Sequence, residues 1–214
     1  MKMMIMGPQG SGKGTYAERL SEKFGVTHIS TGEIFRENIK KKTELGKKIE
    51  KFVNSGLLVP DDVTMQVVKQ RINEPDCKKG FIFDGFPRTL KQAEELEKVS
   101  PLDVVIYLDA PEWLLIKRMS SRVTCKKCGK IYNLLNVKPK KDGVCDGCGG
   151  ELVVREDETP EVIKMRLKEY ERGTKPLIDY YEKKGILKRF YNDVFEISPE
   201  ECVGKILDIL GVKK

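Results

Sequence analysis

The stretch Gly7-Pro8-Gln9-Gly10-Ser11-Gly12-Lys13-Gly14-Thr15 constrains this chain more than any other. Three apolar residues, Met4-Ile5-Met6, lead into it, and a helical pattern over 13–24 follows. Glycines let successive backbone N–H groups turn inward on one point, and the start of a helix adds a potential that favours an anion. A lysine in that turn adds a mobile positive charge. Strand, glycine-rich turn and helix N-terminus in this order make a phosphate cradle at the end of a sheet strand.

The rest of the chain fits a sheet of that kind. Short apolar runs at 2–6, 26–29, 81–83, 104–108 and 190–197 alternate with helical patterns at 13–24, 63–72, 90–99 and 112–119. The alternation predicts a mostly parallel sheet covered by helices on both faces, and with the glycine loop the expected fold is α/β of the P-loop NTPase type with a central five-stranded parallel sheet. Ser30 with Glu33, and Ser198 with Glu201, fit capping boxes, while Pro60, Asp61 and Asp62 suit a helix start. One long helix is expected over 161–184, bent near Pro176. A chain of 214 residues has room for this core and a small inserted module. No apolar run approaches the roughly 18 residues of a membrane span, and residues 1–6 carry no signal-peptide pattern. A cytoplasmic protein without a membrane partner is therefore expected.

The net charge of +7 comes mostly from lysine and reads as a solvated surface or as attraction for polyanions. Arginine is scarce, with ten residues, so its placement carries more information.

Residues 124–151 break the α/β rhythm and mark the inserted module. It holds two CxxCG knuckles, Cys125-Lys126-Lys127-Cys128-Gly129 and Cys145-Asp146-Gly147-Cys148-Gly149. Four thiolates at this spacing suit a closed tetrahedral site for Zn²⁺ or a similar metal, and a shell with no open position points to structure rather than catalysis. A zinc ribbon gripping nucleic acid is the competing reading, but no interleaved aromatic platform accompanies the knuckles beyond Tyr132. Cys77 and Cys202 stand alone and read as small buried hydrophobes. The one histidine, His28, reads as a packed strand residue.

Three further segments suit a second phosphate-bearing ligand: Ser30-Thr31-Gly32-Glu33-Ile34-Phe35-Arg36, Gly56-Leu57-Leu58-Val59-Pro60-Asp61, and Asp84-Gly85-Phe86-Pro87-Arg88-Thr89 with Gln92 a turn later. In an open parallel sheet ligands bind beyond the C-terminal strand ends, where two of these segments and the glycine loop fall. Joined to the GKGT of the loop, the DGFPRT string resembles adenylate kinase of the bacterial type with a long zinc-binding lid. The resemblance runs from Met1 to about Tyr181.

The resemblance implies reversible transfer of a phosphoryl group from ATP to AMP, giving two ADP. It implies Mg²⁺ with the ATP, structural Zn²⁺ in the lid, direct in-line transfer with lid closure, a monomer, and no nucleic-acid partner. ATP would lie along Gly10, Ser11, Gly12, Lys13, Gly14 and Thr15, with Arg118, Arg122, Ile131, Tyr132 and Val194. Whether Thr15 meets Mg²⁺ or only a phosphate is left open, because Gly14 takes the usual Ser or Thr position after the lysine. AMP would meet Thr31, Arg36, Leu57, Leu58, Val59, Gly85, Phe86, Pro87, Arg88, Gln92, Arg155 and Arg166, with Arg36 and Arg88 holding its phosphate. Lys13, Arg88, Arg122, Arg155, Arg166 and Asp84 would serve the transfer, Asp84 through water around Mg²⁺. Asp157 and Glu158 match an acidic pair that steadies these arginines. The expected divisions are a core of 1–29, 60–121 and 160–214, a monophosphate-binding segment of 30–59 and a lid of 122–159. Departures from the family pattern are Gln9, where proline is common, and Glu33 and Phe35. The match after Gly185 is loose.

Overall fold

The computed structural model describes residues 1–155 and 159–212; Asp157 and Glu158 lie outside the described residues. In chain order the elements are β1 (Lys2–Met6), α1 (Lys13–Phe24), β2 (Thr27–Ser30), α2 (Thr31–Lys40), α3 (Glu44–Asn54) and α4 (Asp61–Ile72). Next come β3 (Phe81–Asp84), α5 (Leu90–Val99), β4 (Val104–Asp109), α6 (Glu112–Ser120), β5 (Arg122–Cys125), β6 (Ile131–Asn133) and β7 (Leu152–Val153). The chain ends with α7 (Pro160–Glu169), α8 (Leu177–Lys183), β8 (Leu187–Tyr191) and α9 (Pro199–Ile209).

Five strands form a parallel sheet in the order β2-β3-β1-β4-β8. Apolar runs without alternation in β1 and β4 reflect burial on both faces. Met4 and Met6 point into one layer with Phe81, Phe83, Leu96 and Tyr181; Met3 and Ile5 point into the other with Leu20, Ile82 and Ile206. Each fully buried large side chain contributes about 1.5–3 kcal/mol. Since β3 and β4 flank β1, the connections leaving the C-terminal ends of β1 and β3 open a crevice between them.

Two smaller units rise from that edge. Helices α2 and α3 form a hairpin around Phe35, Ile49 and Val59. Strands β6-β5-β7 form an antiparallel sheet around Val123, Tyr132, Cys125 and Cys145.

Two expectations are corrected. The last sheet strand is Leu187–Tyr191, not 190–197. Asn192 ends it, its Oδ1 accepting from the Val194 N–H at 2.9 Å to make a turn, and Ile197 is buried from a loop. The helix expected over 161–184 is two, α7 and α8, joined by a π-type turn over Tyr170–Thr174 in which the Lys175 N–H bonds the Tyr170 carbonyl. The widened turn lies before Pro176 and needs no proline. Among the described residues no helix is long and apolar enough to cross a membrane.

Candidate active site

One continuous cleft runs along the C-terminal edge of the sheet, from the glycine loop to the α2–α3 hairpin. The loop is held by backbone constraint. Gly10 has φ 85°, and a Cβ there would stand 2.8 Å from the Leu115 carbonyl oxygen, so no other residue fits. Lys13 opens α1 and folds back, its Nζ donating to the carbonyls of Gly7 at 2.9 Å and Pro8 at 2.8 Å. Burial lowers the Lys13 pKa to about 8, against the pull of Asp84 and with the help of Arg88 and Arg122.

Arginine is distributed unevenly. Arg36, Arg88, Arg118, Arg122, Arg155 and Arg166 all line the cleft. The other four pair with carboxylates: Arg19 with Glu200, Arg71 with Asp76, Arg172 with Glu169 and Arg189 with Glu182. Among the described residues the cleft wall sets Glu33, Asp84 and Glu169 against those six guanidinium groups and Lys13. Desolvation and the neighbouring Arg166 depress the Arg88 pKa from its ordinary value, while Asp84 opposes them. Such a concentration of like charge suits a polyanion, and planar guanidinium forks match phosphate oxygens bidentately.

Asp84 ends β3 facing this group. Burial alone would raise its pKa, but His28, Lys13 and Arg88 together hold it below the usual carboxylate value. His28 sits in β2 with Nε2 3.8 Å from Asp84 Oδ2. Burial works against its charged form, and Asp84 outweighs that and raises the imidazole above its ordinary value. The histidine is packed, as expected, and also backs the part-buried carboxylate.

On the hairpin side, Thr31 donates from Oγ1 to the Gly85 carbonyl at 2.9 Å, and Arg88 donates from Nε to the same carbonyl at 2.8 Å. Ser30, not Thr31, caps α2, accepting from the Glu33 N–H. Leu57, Leu58, Val59, Gly85, Pro87 and Gln92 line the same wall. Gln92 is 2 % exposed, and its amide accepts from the Arg88 N–H and donates to Asp61 Oδ1, both at 2.7 Å.

Gly10, Gly12, Gly14, Thr15, Ile131 and Tyr132 line the opposite part. Three expected residues sit off the wall. Ser11 is buried beneath the loop, Phe86 packs on Phe83 in the core, and Val194 lies half-exposed in the turn after β8. Tyr16, Asn136 and Tyr170 reach the wall without any sequence signal: packing of α1 brings the first, the turn after β6 the second and the π-type turn the third.

The four module cysteines converge, with all four Sγ atoms within 4.8 Å of one another. Cys125 and Cys148 are 3.5 Å apart and Cys128 and Cys145 3.6 Å. A tetrahedron with metal–sulfur arms of about 2.3 Å has edges of about 3.8 Å, so the thiols are spaced for a metal ion and far beyond disulfide distance. A Cβ on Gly150 would lie 2.9 Å from Cys125 Sγ and 3.3 Å from Cys148 Sγ, which keeps that position glycine. Tyr132 joins module to cleft. Its hydroxyl lies 3.5 Å from Cys145 Sγ and accepts from the Asp146 N–H at 2.8 Å. That contact holds the Cys145 thiol well below its ordinary value, near 6.

Comparison with known proteins gives this arrangement relatives. A family model described as adenylate kinase matches residues 5–186. An adenylate kinase of Caldicellulosiruptor saccharolyticus is 46% identical over 221 residues, covering all of both chains. One of Archaeoglobus fulgidus is 50% identical over 192 residues, 87% of this chain and 88% of that one. One of Thermosipho melanesiensis is 50% identical over 188 residues, 86% of this chain and 88% of the other. By its sheet order, its arginine-walled cleft, its cysteine-bearing lid and these relatives, the chain belongs to the adenylate kinase family, the ATP:AMP phosphotransferases among nucleoside monophosphate kinases.

Proposed function

We propose that the two ends of the cleft hold ATP and AMP simultaneously, and that the γ-phosphoryl group passes between them in line, without a covalent enzyme intermediate. The observation that carries this reading is the joining, in one cleft, of a glycine cradle with Lys13 and a separate wall of Thr31, Arg36, Arg88 and Gln92. Phosphate oxygen is already largely ionised near neutrality, since its second pKa is about 6, so no general base is required. The obstacle is the approach of two anionic groups.

In this reading Lys13 follows the migrating group, and Arg88, Arg122, Arg155 and Arg166 spread its charge in the transition state. Arg36 and Arg88 hold the AMP phosphate, and Thr31 and Gln92 face its base. Arg118 lies along the ATP adenine. Magnesium bound with the triphosphate would neutralise negative charge on the reacting phosphates, and Asp84, a part-buried carboxylate held ionised beside the loop, fits the task of holding it through water.

The cysteine cluster suits Zn²⁺, with four soft ligands and no open position. Residues 30–59 and 122–159 would be the arms that close over the nucleotides and exclude water, residues 1–29, 60–121 and 160–214 the frame. Two contacts support such closure: Lys40 Nζ donates to the Lys126 carbonyl at 3.2 Å across the arms, and Arg166 reaches the Val53 carbonyl at 3.4 Å. The test is to incubate the protein with ADP and Mg²⁺ alone. ATP and AMP should appear in equal amounts, and only with Mg²⁺; ATPase-like release of inorganic phosphate without AMP would refute the two-site reading.

A further inference from the structure

Behind the hairpin side of the cleft lies a ring of hydrogen bonds that phosphoryl transfer does not use. The Gln92 backbone N–H donates to Thr89 Oγ1 at 3.1 Å, and the Thr89 hydroxyl donates to Asp61 Oδ1 at 3.1 Å. The Gln92 side chain closes the ring, Nε2 donating to that same oxygen at 2.7 Å. Its Oε1 accepts from the Arg88 backbone N–H at 2.7 Å. Gln92 is on the cleft wall; Asp61, the first residue of α4, stands behind it.

A carboxylamide is nearly symmetric in shape and reverses its hydrogen-bonding polarity when turned over. Here both neighbours demand one orientation. A carboxylate only accepts and a backbone N–H only donates, so the NH₂ end must face Asp61 and the oxygen must face Arg88. Turning the group would set oxygen against oxygen and N–H against N–H in a buried place, where unmatched polar groups are costly. One N–H and one lone pair remain for a ligand, with their order along the wall fixed.

We propose that Asp61 is a positioning residue that locks the polarity of Gln92 and so makes the monophosphate site choose adenine over guanine. The proposal rests on the two-nucleotide reading above and refines it. Adenine presents an amino donor at C6 beside an acceptor at N1, whereas guanine presents a carbonyl acceptor at C6 beside an N1–H donor. The same edge carries the opposite order. A locked amide matches one order and opposes the other; an amide free to turn matches either.

The test compares kcat/KM for AMP, GMP and IMP, with ATP as donor, in the wild type and in Asp61→Ala, Asp61→Asn and Gln92→Leu. IMP shares the C6 and N1 polarity of guanine without its 2-amino group. The wild type should therefore reject IMP as it rejects GMP, and IMP used as well as AMP would overturn the proposal with no variant needed. Asp61→Ala should lower the AMP-to-GMP and AMP-to-IMP ratios by about tenfold, the scale of a bidentate base contact, with the KM for ATP unmoved. Asp61→Asn offers Gln92 either an oxygen or an NH₂, because its own amide can turn, and should recover only part of the ratio. A role confined to the α4 N-terminus would lower the melting temperature of both Asp61 variants equally and leave the ratios intact. That result, with Gln92→Leu impaired for AMP, overturns the lock alone. A Gln92→Leu enzyme with an unchanged KM for AMP removes the base-site reading as well.

Discussion

At the scale of the residue, Lys13 is the most exposed to test. Its pKa is lowered to about 8, with burial the largest cause. The sign follows: below pH 8 the ammonium is present and attracts phosphate, and as pH rises through 8 the empty enzyme loses that charge. A bound polyanion favours the protonated form and moves the loss to higher pH. ATP affinity of the free enzyme, measured by calorimetry, should therefore fall between pH 7.5 and 9.5, by up to about tenfold per pH unit. Lys13→Met should show no such fall and should turn over at least about a hundredfold more slowly. A flat wild-type profile across that window would contradict the assignment. The loop and the cleft arginines were legible as single residues because glycine and arginine are chosen there for properties no other residue has. The coupling of Asp61 to Gln92 was not legible. In sequence Asp61 reads only as an acid at a helix start, and the ring that uses it joins two segments 28 and 31 residues apart.

At the scale of the element, the cysteine module was readable from spacing alone, whereas its connection to the cleft was not. Tyr132 sits on β6 with its ring buried and its hydroxyl between Cys145 Sγ and the Asp146 N–H. Groups that hydrogen-bond a ligand atom hold a metal site in shape, and losing one costs about 10–100-fold in metal affinity. Tyr132→Phe should therefore give up its metal to a chelator at least about tenfold more readily than the wild type; equal retention would show that the hydroxyl does not support the site. Stripping the metal from the wild type should lower the melting temperature by about 5 °C or more, at about 2–4 °C per kcal/mol for a chain this size. The elements that were misplaced share a physical cause. The boundary of β8 and the break between α7 and α8 depend on an Asn192 turn and a π-type turn, neither of which disturbs the apolar pattern on which the reading relied. Helix α3, whose Ile49 packs in a small cluster with Phe35 of α2, was not singled out from the sequence.

At the scale of the whole molecule, a large core divided by the sheet into two apolar layers carries two units with small cores of their own. Few buried apolar contacts mean a low cost of local movement, so the hairpin and the cysteine module are where the closure proposed above would cost least. Six guanidinium groups and Lys13 line one cleft together with three carboxylates among the described residues, a balance of charge that suits phosphorylated ligands. The most direct measurement is calorimetric titration with two adenosines joined 5′ to 5′ through five phosphates. One molecule should bind per chain, far more tightly than ATP or AMP alone, and either nucleotide should displace it. Absence of binding, or displacement by only one of the two, would contradict the claim that a single cleft holds both.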